Sequence, residues 1–192
     1  MQRREVVGSL LAGRDGLLVV AGLGSTAWDC TAAGDSPLTF PLWGAMGSAA
    51  MVGLGLALAQ PARRVLVVTG DGELLMGLGA LATIGAQRPA NLAIAVVDNE
   101  RYGETGMQAT HTAHGMDLAA AARACGFAQS LLVREPAELE PARRTLLKGP
   151  GPAMAQFKVA ADKVPLVLPP REGALLKARF RRALLGERAE AE

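Results

Sequence analysis

Two short polar clusters in the sequence have the residue types and the order expected of a site for a diphosphate and a divalent cation. The first, Gly70-Asp71-Gly72, follows the apolar run Val65–Thr69 and leads into a helical pattern. A helix N-terminus offers unpaired N–H groups and a partial positive charge, and both favour a phosphate. The Asp71 carboxylate would repel that phosphate unless a cation lay between them. Taken alone, Asp71 is read more simply as a helix N-cap.

The second cluster, Asp98-Asn99, follows the next apolar run, Leu92–Val97, and favours the cation. Ligands collect at the carboxyl ends of the strands in a parallel sheet, so Asp71 and Asn99 are expected to lie close together. Mg²⁺ prefers about six oxygen ligands and rarely takes all of them from protein. The Asp71 carboxylate, the Asn99 amide oxygen, a loop carbonyl, diphosphate oxygens and water would complete such a shell.

A third stretch, Gly22-Leu23-Gly24-Ser25, follows the apolar run Leu17–Ala21. It is a weak match to a dinucleotide fingerprint, because Ala27 replaces the third glycine and no acid suited to a ribose follows at the usual spacing. Glycine N–H groups beside the Ser25 hydroxyl nevertheless suit a phosphate.

These clusters must be positioned by strands that alternate with helices along the chain. Two further strands are predicted at Gln129–Val133 and Ala153–Val159, and helices at Ala45–Ala59, Glu73–Gln87 and Asp117–Cys125. The alternation predicts an α/β fold with a doubly wound, mostly parallel sheet and helices on both faces. We expect one domain over residues 1–170 and a basic C-terminal helix or tail over 171–192, the latter packed on the domain.

Composition excludes several classes of protein. The 192 residues suit a single α/β domain, and 20 basic against 18 acidic side chains are too balanced for a nucleic-acid-binding surface. No apolar run reaches the roughly 20 residues of a membrane span, and the N-terminal run is too interrupted for a signal peptide. Cys30 and Cys125 are isolated, which argues against zinc and iron–sulfur sites and fits a cytoplasmic protein.

Gly70-Asp71-Gly72 followed by Asp98-Asn99 resembles the signature of thiamine-diphosphate enzymes. That family has two amides at the second place, and Asp98 departs from it only at the first, which is not the side-chain ligand. The resemblance implies that the backbone carbonyl of Arg101 joins Asp71 and Asn99 as a metal ligand.

The segment Trp43–Gly47 resembles the part of that family beneath the aminopyrimidine of the cofactor. The resemblance implies that the Gly44 carbonyl accepts the 4′-amino group, that Met46 wedges the cofactor into a bent shape, and that Ser25 contacts the diphosphate. The full set of cofactor-binding residues predicted in this way is Ser25, Gly44, Ala45, Met46, Gly70, Asp71, Gly72, Glu73, Asn99 and Tyr102.

Glu73 departs from the family, which usually has a small or hydroxyl-bearing residue directly after Gly-Asp-Gly. A carboxylate there suits the helix dipole if it points outward. A second anion near the diphosphate would weaken binding.

Residues 40–127 resemble more narrowly the β chains of sulfopyruvate decarboxylase and the C-terminal part of phosphonopyruvate decarboxylase. This resemblance implies a thiamine-diphosphate- and Mg²⁺-dependent decarboxylase that acts on a 3-substituted pyruvate with an anionic substituent. In that family a Glu on a separate pyrimidine-binding domain activates the cofactor, and 192 residues leave no room for such a domain. We therefore expect an alpha-type partner subunit that supplies the Glu, and self-association through the present domain.

His111 is a candidate catalytic residue, because it follows the second cluster and an imidazole suits a substrate carboxylate or a proton transfer. A surface or loop-stabilising role is the alternative for His111 and for His114, and Arg101, Glu104 and Gln108 are lesser candidates. Two other functions stay open. One is the beta subunit of a 2-oxo acid oxidoreductase, against which the missing cysteine cluster argues. The other is a non-catalytic orphan cofactor-binding protein.

Overall fold

Six parallel strands form one sheet in a computed structural model, which describes residues 1–189. The strands of this sheet are β1 (Leu18–Ala21), β2 (Thr39–Pro41), β3 (Val65–Gly70), β4 (Leu92–Asp98), β7 (Gln129–Val133) and β8 (Ala153–Lys158). A separate antiparallel pair consists of β5 (Arg101–Tyr102) and β6 (Gln108–Ala109). The strand order is β2-β1-β3-β4-β8-β7. The predicted doubly wound α/β fold is confirmed, and all pairings of the large sheet are parallel.

Helices cover both faces of this sheet. They are α1 (Arg3–Leu11), α2 (Ser25–Ala32), α3 (Ala49–Ala59), α4 (Asp71–Met76), α5 (Ala80–Gln87), α6 (Leu118–Ala124), α7 (Leu139–Lys148) and α8 (Gly173–Leu185). One core lies between the sheet and α1, α2 and α7, and the other lies between the sheet and α3, α5, α6 and α8. No helix within residues 1–189 is long and apolar enough to cross a membrane.

The central strands are buried on both faces, which is why they read as continuous apolar runs. Every residue of β1 and β4 is buried. Successive side chains alternate between the two cores, so Val67 and Ile94 enter one core while Val68 and Ala95 enter the other.

The strand order reverses direction at β1, which lies between β2 and β3. The chain leaves β1 through α2 to reach β2 on one side, while β3 lies on the other side. In open α/β sheets, ligands bind in the crevice outside the carboxyl ends of the strands at such a switch point. The first polar cluster, Gly70-Asp71-Gly72, lies at the end of β3, and the third, Gly22-Leu23-Gly24-Ser25, follows β1. Both clusters therefore flank that crevice.

Helix α3 is shorter than predicted, and the residues before it form a loop that contains Met46, called the wedge loop below. The pattern Ala45–Ala59 predicts a helix from its first residue, but α3 begins at Ala49. Ala45 and Gly47 have φ values of 57° and 84°, in the left-handed region, so the chain before α3 is a loop.

The predicted helix Glu73–Gln87 is two helices, α4 and α5, separated around Gly77. A Cβ built on Gly77 would lie 1.9 Å from the carbonyl oxygen of Gly47. Glycine at position 77 thus permits a close approach between two loops, and this approach packs the Met46 loop against the end of α4.

The C-terminal helix α8 packs on the domain, as the apolar spacing of this segment predicts. Phe180 meets Phe40 edge to face with ring centroids 5.5 Å apart, and Arg179 forms an ion pair with Asp35. The domain boundary at residue 170 stays a prediction, and residues 190–192 of the predicted C-terminal segment lie outside the described residues.

Candidate functional site

A cavity of about 280 Å³ lies at the carboxyl edge of the sheet, at the switch point. Three chain segments supply most of its lining: the loop between β1 and α2, the end of β3 with α4, and the chain at and after the end of β4. The predicted site residues that line the cavity are Ser25, Met46, Gly70, Asp71, Gly72, Glu73, Asn99, Arg101 and Tyr102. The fold therefore brings together the three polar clusters and the wedge residue.

Asp71 is the first residue of α4 and its side chain is 2 % exposed. Its Oδ2 accepts hydrogen bonds from Thr110 Oγ1 at 2.5 Å and Thr112 Oγ1 at 3.2 Å. Burial raises the pKa of Asp71 to about 6, the Thr110 hydrogen bond opposes this rise, and the charge of Asp98 adds to it. A carboxylate whose anionic form is disfavoured, at the wall of a cavity, is the group expected where a cation binds.

Asp98 is fully buried, and both of its oxygens are used within the protein. Oδ2 accepts hydrogen bonds from Gln156 Nε2 at 2.6 Å and Lys158 Nζ at 2.8 Å, and Oδ1 accepts from Thr112 Oγ1 at 2.8 Å. Burial lowers the pKa of Lys158, but the hydrogen bonds that its amine donates to Asp98 and Glu100 outweigh this effect, so the net pKa is raised. Asp98 thus holds the loop in place with its charge balanced by Lys158, which explains how a carboxylate replaces an amide here.

A tight turn after β4 presents Asn99 to the cavity. Asn99 Oδ1 accepts a hydrogen bond from the N–H of Arg101 at 3.0 Å, and Glu100 between them has a left-handed φ of 61°. An amide oxygen has two lone pairs, so Asn99 can accept this bond and still ligate a cation. The turn also lays Tyr102 on Gly72, where a built Cβ would lie 2.6 Å from Tyr102 Cε1.

Of the two orientations that the sequence left open for Glu73, the structure has the inward one. Glu73 Oε2 accepts hydrogen bonds from the N–H of Leu23 at 3.1 Å and from Thr69 Oγ1 at 2.8 Å. A helical side chain leans towards the N-terminus of its helix, and for Glu73 that direction leads to the loop after β1. Gly22 leaves room for it, since a Cβ there would lie 1.9 Å from Glu73 Oε2. Burial raises the pKa of Glu73, and Oε1 is buried without a hydrogen-bond partner.

Met46 stands at the rim of the cavity with 61 % of its surface exposed. Gly44 and Ala45 precede it in the exposed loop, and the left-handed φ of Ala45 shapes that loop. Ser25 begins α2 directly after Gly24. The roles of Ser25, Gly44 and Met46 towards the cofactor stay predictions.

His111 and His114 lie in a short 3₁₀ helix, His111–His114, after the small β5–β6 sheet, and both are exposed. Neither lines the cavity. Their direct participation stays a prediction.

Several residues of the site had no signal in the sequence. Thr110 and Thr112 reach Asp71 because the β5–β6 pair folds the chain back. Arg3 lines the cavity from the N-terminal helix α1, is buried, and forms a 3.0 Å ion pair with Asp29. Nothing in the sequence near Arg3 indicates this position.

The donor set fits Mg²⁺-bound diphosphate. One buried carboxylate, one amide oxygen and a helix N-terminus line the same cavity, and hard oxygen ligands are those Mg²⁺ prefers. Within residues 1–189 no three His, Cys, Asp or Glu side chains cluster to hold a metal on their own. The predicted shell does not require such a cluster, because diphosphate and water would supply its remaining oxygens.

The comparisons with known proteins agree with this geometry. Residues 24–157 match the family model described as "Thiamine pyrophosphate enzyme, C-terminal TPP binding domain". The chain is 42 % identical over 127 residues to the beta subunit of sulfopyruvate decarboxylase from Methanothermobacter thermautotrophicus, a match that covers 66 % of this chain and 68 % of the relative.

It is also 41 % identical over 141 residues to phosphonopyruvate decarboxylase from Streptomyces viridochromogenes, covering 73 % of this chain and 35 % of that relative. The chain thus spans about a third of the length of this second relative. The fold resembles an X-ray structure described as a candidate thiamin diphosphate-dependent enzyme from Mycobacterium smegmatis, with a TM-score of 0.71 and 23 % identity. That likeness covers 84 % of this chain and 32 % of the solved chain.

Proposed function

Because the chain belongs to the thiamine pyrophosphate enzymes through their C-terminal TPP-binding domain, we propose that it is the beta-type subunit of a decarboxylase. Its substrate would be a small anionic 2-oxo acid, a 3-substituted pyruvate such as sulfopyruvate or phosphonopyruvate. The observation that carries the proposal is the buried Asp71 carboxylate, which shares one cavity with Asn99 at the switch point of the sheet. The names of the relatives support the choice of reaction and substrate class.

Asp71, Asn99 and the carbonyl of Arg101 would hold Mg²⁺, and the N–H groups at the start of α4 would hold the diphosphate with Ser25. When bound, thiamine diphosphate supplies the carbon nucleophile and the electron sink that decarboxylation of a 2-oxo acid requires. The present chain contributes position and charge. Thr110 and Thr112 donate to Oδ2 of Asp71 and so orient the carboxylate that would hold the cation.

The wedge loop would set the angle between the two rings of the cofactor. The loop that carries Met46 lies against the end of α4, because Gly47 and Gly77 allow a close approach there. The carbonyl of Gly44 would accept the amino group of the pyrimidine. An orientation error of about 1 Å at a reacting group can cost on the order of 100-fold in rate, so this loop matters for turnover.

The exposed rim of the cavity supports an alpha-type partner subunit. Met46 and Met76 line the cavity and are 61 % and 56 % exposed, and Trp43 is exposed nearby in sequence. Large apolar side chains grouped around a ligand site favour contact with a second protein surface. A pyrimidine-binding domain seated on this rim would cover both methionines and supply the activating Glu.

The outer face of α3 supports self-association. This helix consists only of apolar residues and glycine, and Met51, Val52 and Leu58 are exposed on it. A helix that is apolar on all sides is typically buried on all sides. A second subunit would cover this face. The free thiols of Cys30 and Cys125 are compatible with the cytoplasm as its location.

Reconstitution tests the proposed function. The full chain is co-expressed with the pyrimidine-domain chain of its host, and the purified complex is supplied with thiamine diphosphate and Mg²⁺. Release of CO₂ and aldehyde is then measured from sulfopyruvate, phosphonopyruvate and pyruvate. We expect faster turnover of an acid with an anionic 3-substituent than of pyruvate. A complex that turns over 2-oxo acids only when an electron acceptor and coenzyme A are added would contradict the proposal and favour an oxidoreductase.

A further inference from the structure

We propose that Glu73 is an internal substitute for the cofactor's phosphate: its carboxylate occupies hydrogen-bond donors that the diphosphate needs, and the cofactor must displace it. Glu73 would thereby set the affinity of the site. The inference rests on the proposed function, because it assumes that this cavity receives a diphosphate.

One of the two donors that Glu73 uses lies in the loop that we predict to bind phosphate. The N–H of Leu23 lies in the glycine loop after β1, between Gly22 and Gly24, and donates to Glu73 Oε2 at 3.1 Å. The hydroxyl of Thr69, at the end of β3, donates to the same oxygen at 2.8 Å. These two donors belong to the two strands that flank the switch point, where a ligand anion is expected. A carboxylate oxygen occupies that place instead.

The contact is too close to leave space for a second anion. A Cβ on Gly22 would lie 1.9 Å from Glu73 Oε2, so the carboxylate lies directly on the backbone of the loop. Phosphate oxygens cannot approach the Leu23 N–H while Glu73 holds it. Charge repulsion acts in the same direction, because both groups are anionic.

A comparison within the chain shows that this is not the usual role of Glu near a helix start. Glu138 belongs to a capping box, and its Oε2 accepts from the N–H of Glu135, the N-cap of its own short helix. Glu73 also stands three residues after its N-cap, Gly70, but makes no such bond within its own helix. It reaches instead to the loop after β1.

The second oxygen of Glu73 indicates that the carboxylate can be displaced. Oε1 is buried without a hydrogen-bond partner, and a buried polar oxygen in that state costs free energy. Glu73 also lines the cavity, so its flexible side chain has space into which it can turn. A diphosphate offers more oxygens than one carboxylate, and Mg²⁺ held by Asp71 would attract it further.

The inference predicts opposite effects of one substitution on stability and on binding. In Glu73→Ser, the donors of Leu23 and Thr69 lose their internal acceptor, so the cofactor-free chain should melt about 2–4 °C lower. The same variant should bind thiamine diphosphate with Mg²⁺ at least about tenfold more tightly, because one anion is removed. A merely structural glutamate would lower the melting temperature without raising affinity.

The experiment is isothermal titration calorimetry of the full chain with thiamine diphosphate and with inorganic pyrophosphate, each with Mg²⁺, alongside thermal melts. Glu73→Gln keeps the shape of the side chain and removes its charge, so its affinity for the cofactor should lie between those of the wild type and the serine variant. It replaces the serine variant in the test if that variant does not fold. Glu140→Ser, on the exposed side of α7, is the matched control and should change neither quantity.

Equal or weaker binding by both Glu73 variants, with wild-type binding intact, would overturn this inference and leave the proposed function standing. Failure of the wild type and of every variant to bind thiamine diphosphate with Mg²⁺ would overturn the proposed function, and this inference with it.

Discussion

Thr110 Oγ1 donates a 2.5 Å hydrogen bond to Asp71 Oδ2, and both residues are buried. The bond joins the chain that returns from the β5–β6 pair to the first residue of α4. It counteracts the effect of burial on the pKa of Asp71 and fixes the carboxylate in one orientation. Thr110 thus orients the carboxylate that we propose as a ligand of the cation.

Thr110→Val should weaken Mg²⁺-dependent binding of thiamine diphosphate by about tenfold or more, since a hydrogen bond to a charged group contributes about 1.5–3 kcal/mol. Valine keeps the shape of the side chain and removes the donor. Calorimetric titration measures the change, and Thr110→Ser, which keeps the hydroxyl, should bind like the wild type. Equal affinities for the valine and serine variants would show that Thr110 does not orient Asp71.

Asp71→Asn should stabilise the cofactor-free chain at neutral pH and abolish its Mg²⁺-dependent cofactor binding. The pKa of Asp71 is raised from 3.8 to about 6 on folding, so the folded state favours the protonated carboxyl. Stability from this group is present below about pH 4 and is lost as the pH rises to about 6. Above that, the ionised carboxylate costs on the order of 2–3 kcal/mol.

Urea unfolding of the wild type and of Asp71→Asn at pH 4 and pH 8 checks whether the ionised Asp71 carboxylate lowers the free energy of unfolding. The variant should be more stable than the wild type at pH 8, and the difference should shrink at pH 4. A wild type that is the more stable protein at pH 8 without cofactor would contradict the burial argument.

The bounds of the central strands could be predicted closely, because a strand buried on both faces is a continuous apolar run in the sequence. The run Val65–Thr69 corresponds to β3 and the run Leu92–Val97 to β4, each within one residue of its observed end. Strand β2, Thr39–Pro41, was missed because three residues at the edge of a sheet carry no periodic pattern. Helix ends at Ala45 and Gly77 were misplaced because they depend on contacts between loops.

The positions of Asp71 and Asn99 in the site could be predicted, because both residues lie directly after apolar runs that indicate strands. The position of Thr110 could not, because its contact spans a chain reversal that no spacing rule encodes. Glu73 shows the same limit. The direction of its side chain depends on the space above Gly22, which only the fold reveals.

Asp98→Ala should destabilise the chain by about 1–3 kcal/mol, because it leaves the buried amide of Gln156 without its acceptor and the partly buried amine of Lys158 with Glu100 alone. Asp98→Asn keeps one acceptor oxygen and should cost less. Urea unfolding of the two variants measures the difference. If the alanine variant were as stable as the asparagine variant, the assignment of Asp98 as a structural anchor would be wrong.

Met46→Ala should reduce turnover of the reconstituted enzyme by on the order of 100-fold while changing cofactor affinity little, because the wedge orients the rings and the diphosphate supplies much of the binding. Met46 is largely exposed, so the melting temperature of the isolated chain should not fall. Met51→Ala, on the exposed face of α3, is a control for loss of apolar surface alone. Unchanged kcat in Met46→Ala would make Met46 an ordinary contact residue.

The exchange rate of the C2 proton of thiamine diphosphate, followed by NMR in deuterated buffer, tests the central claim most directly. The isolated chain with Mg²⁺ should bind the cofactor without accelerating this exchange, since we propose that the activating Glu belongs to a second chain. Addition of the pyrimidine-domain subunit should accelerate it, and replacing that subunit's Glu with Gln should abolish the acceleration. Rapid exchange on the isolated chain alone would contradict the account that this protein holds only the diphosphate half of the site.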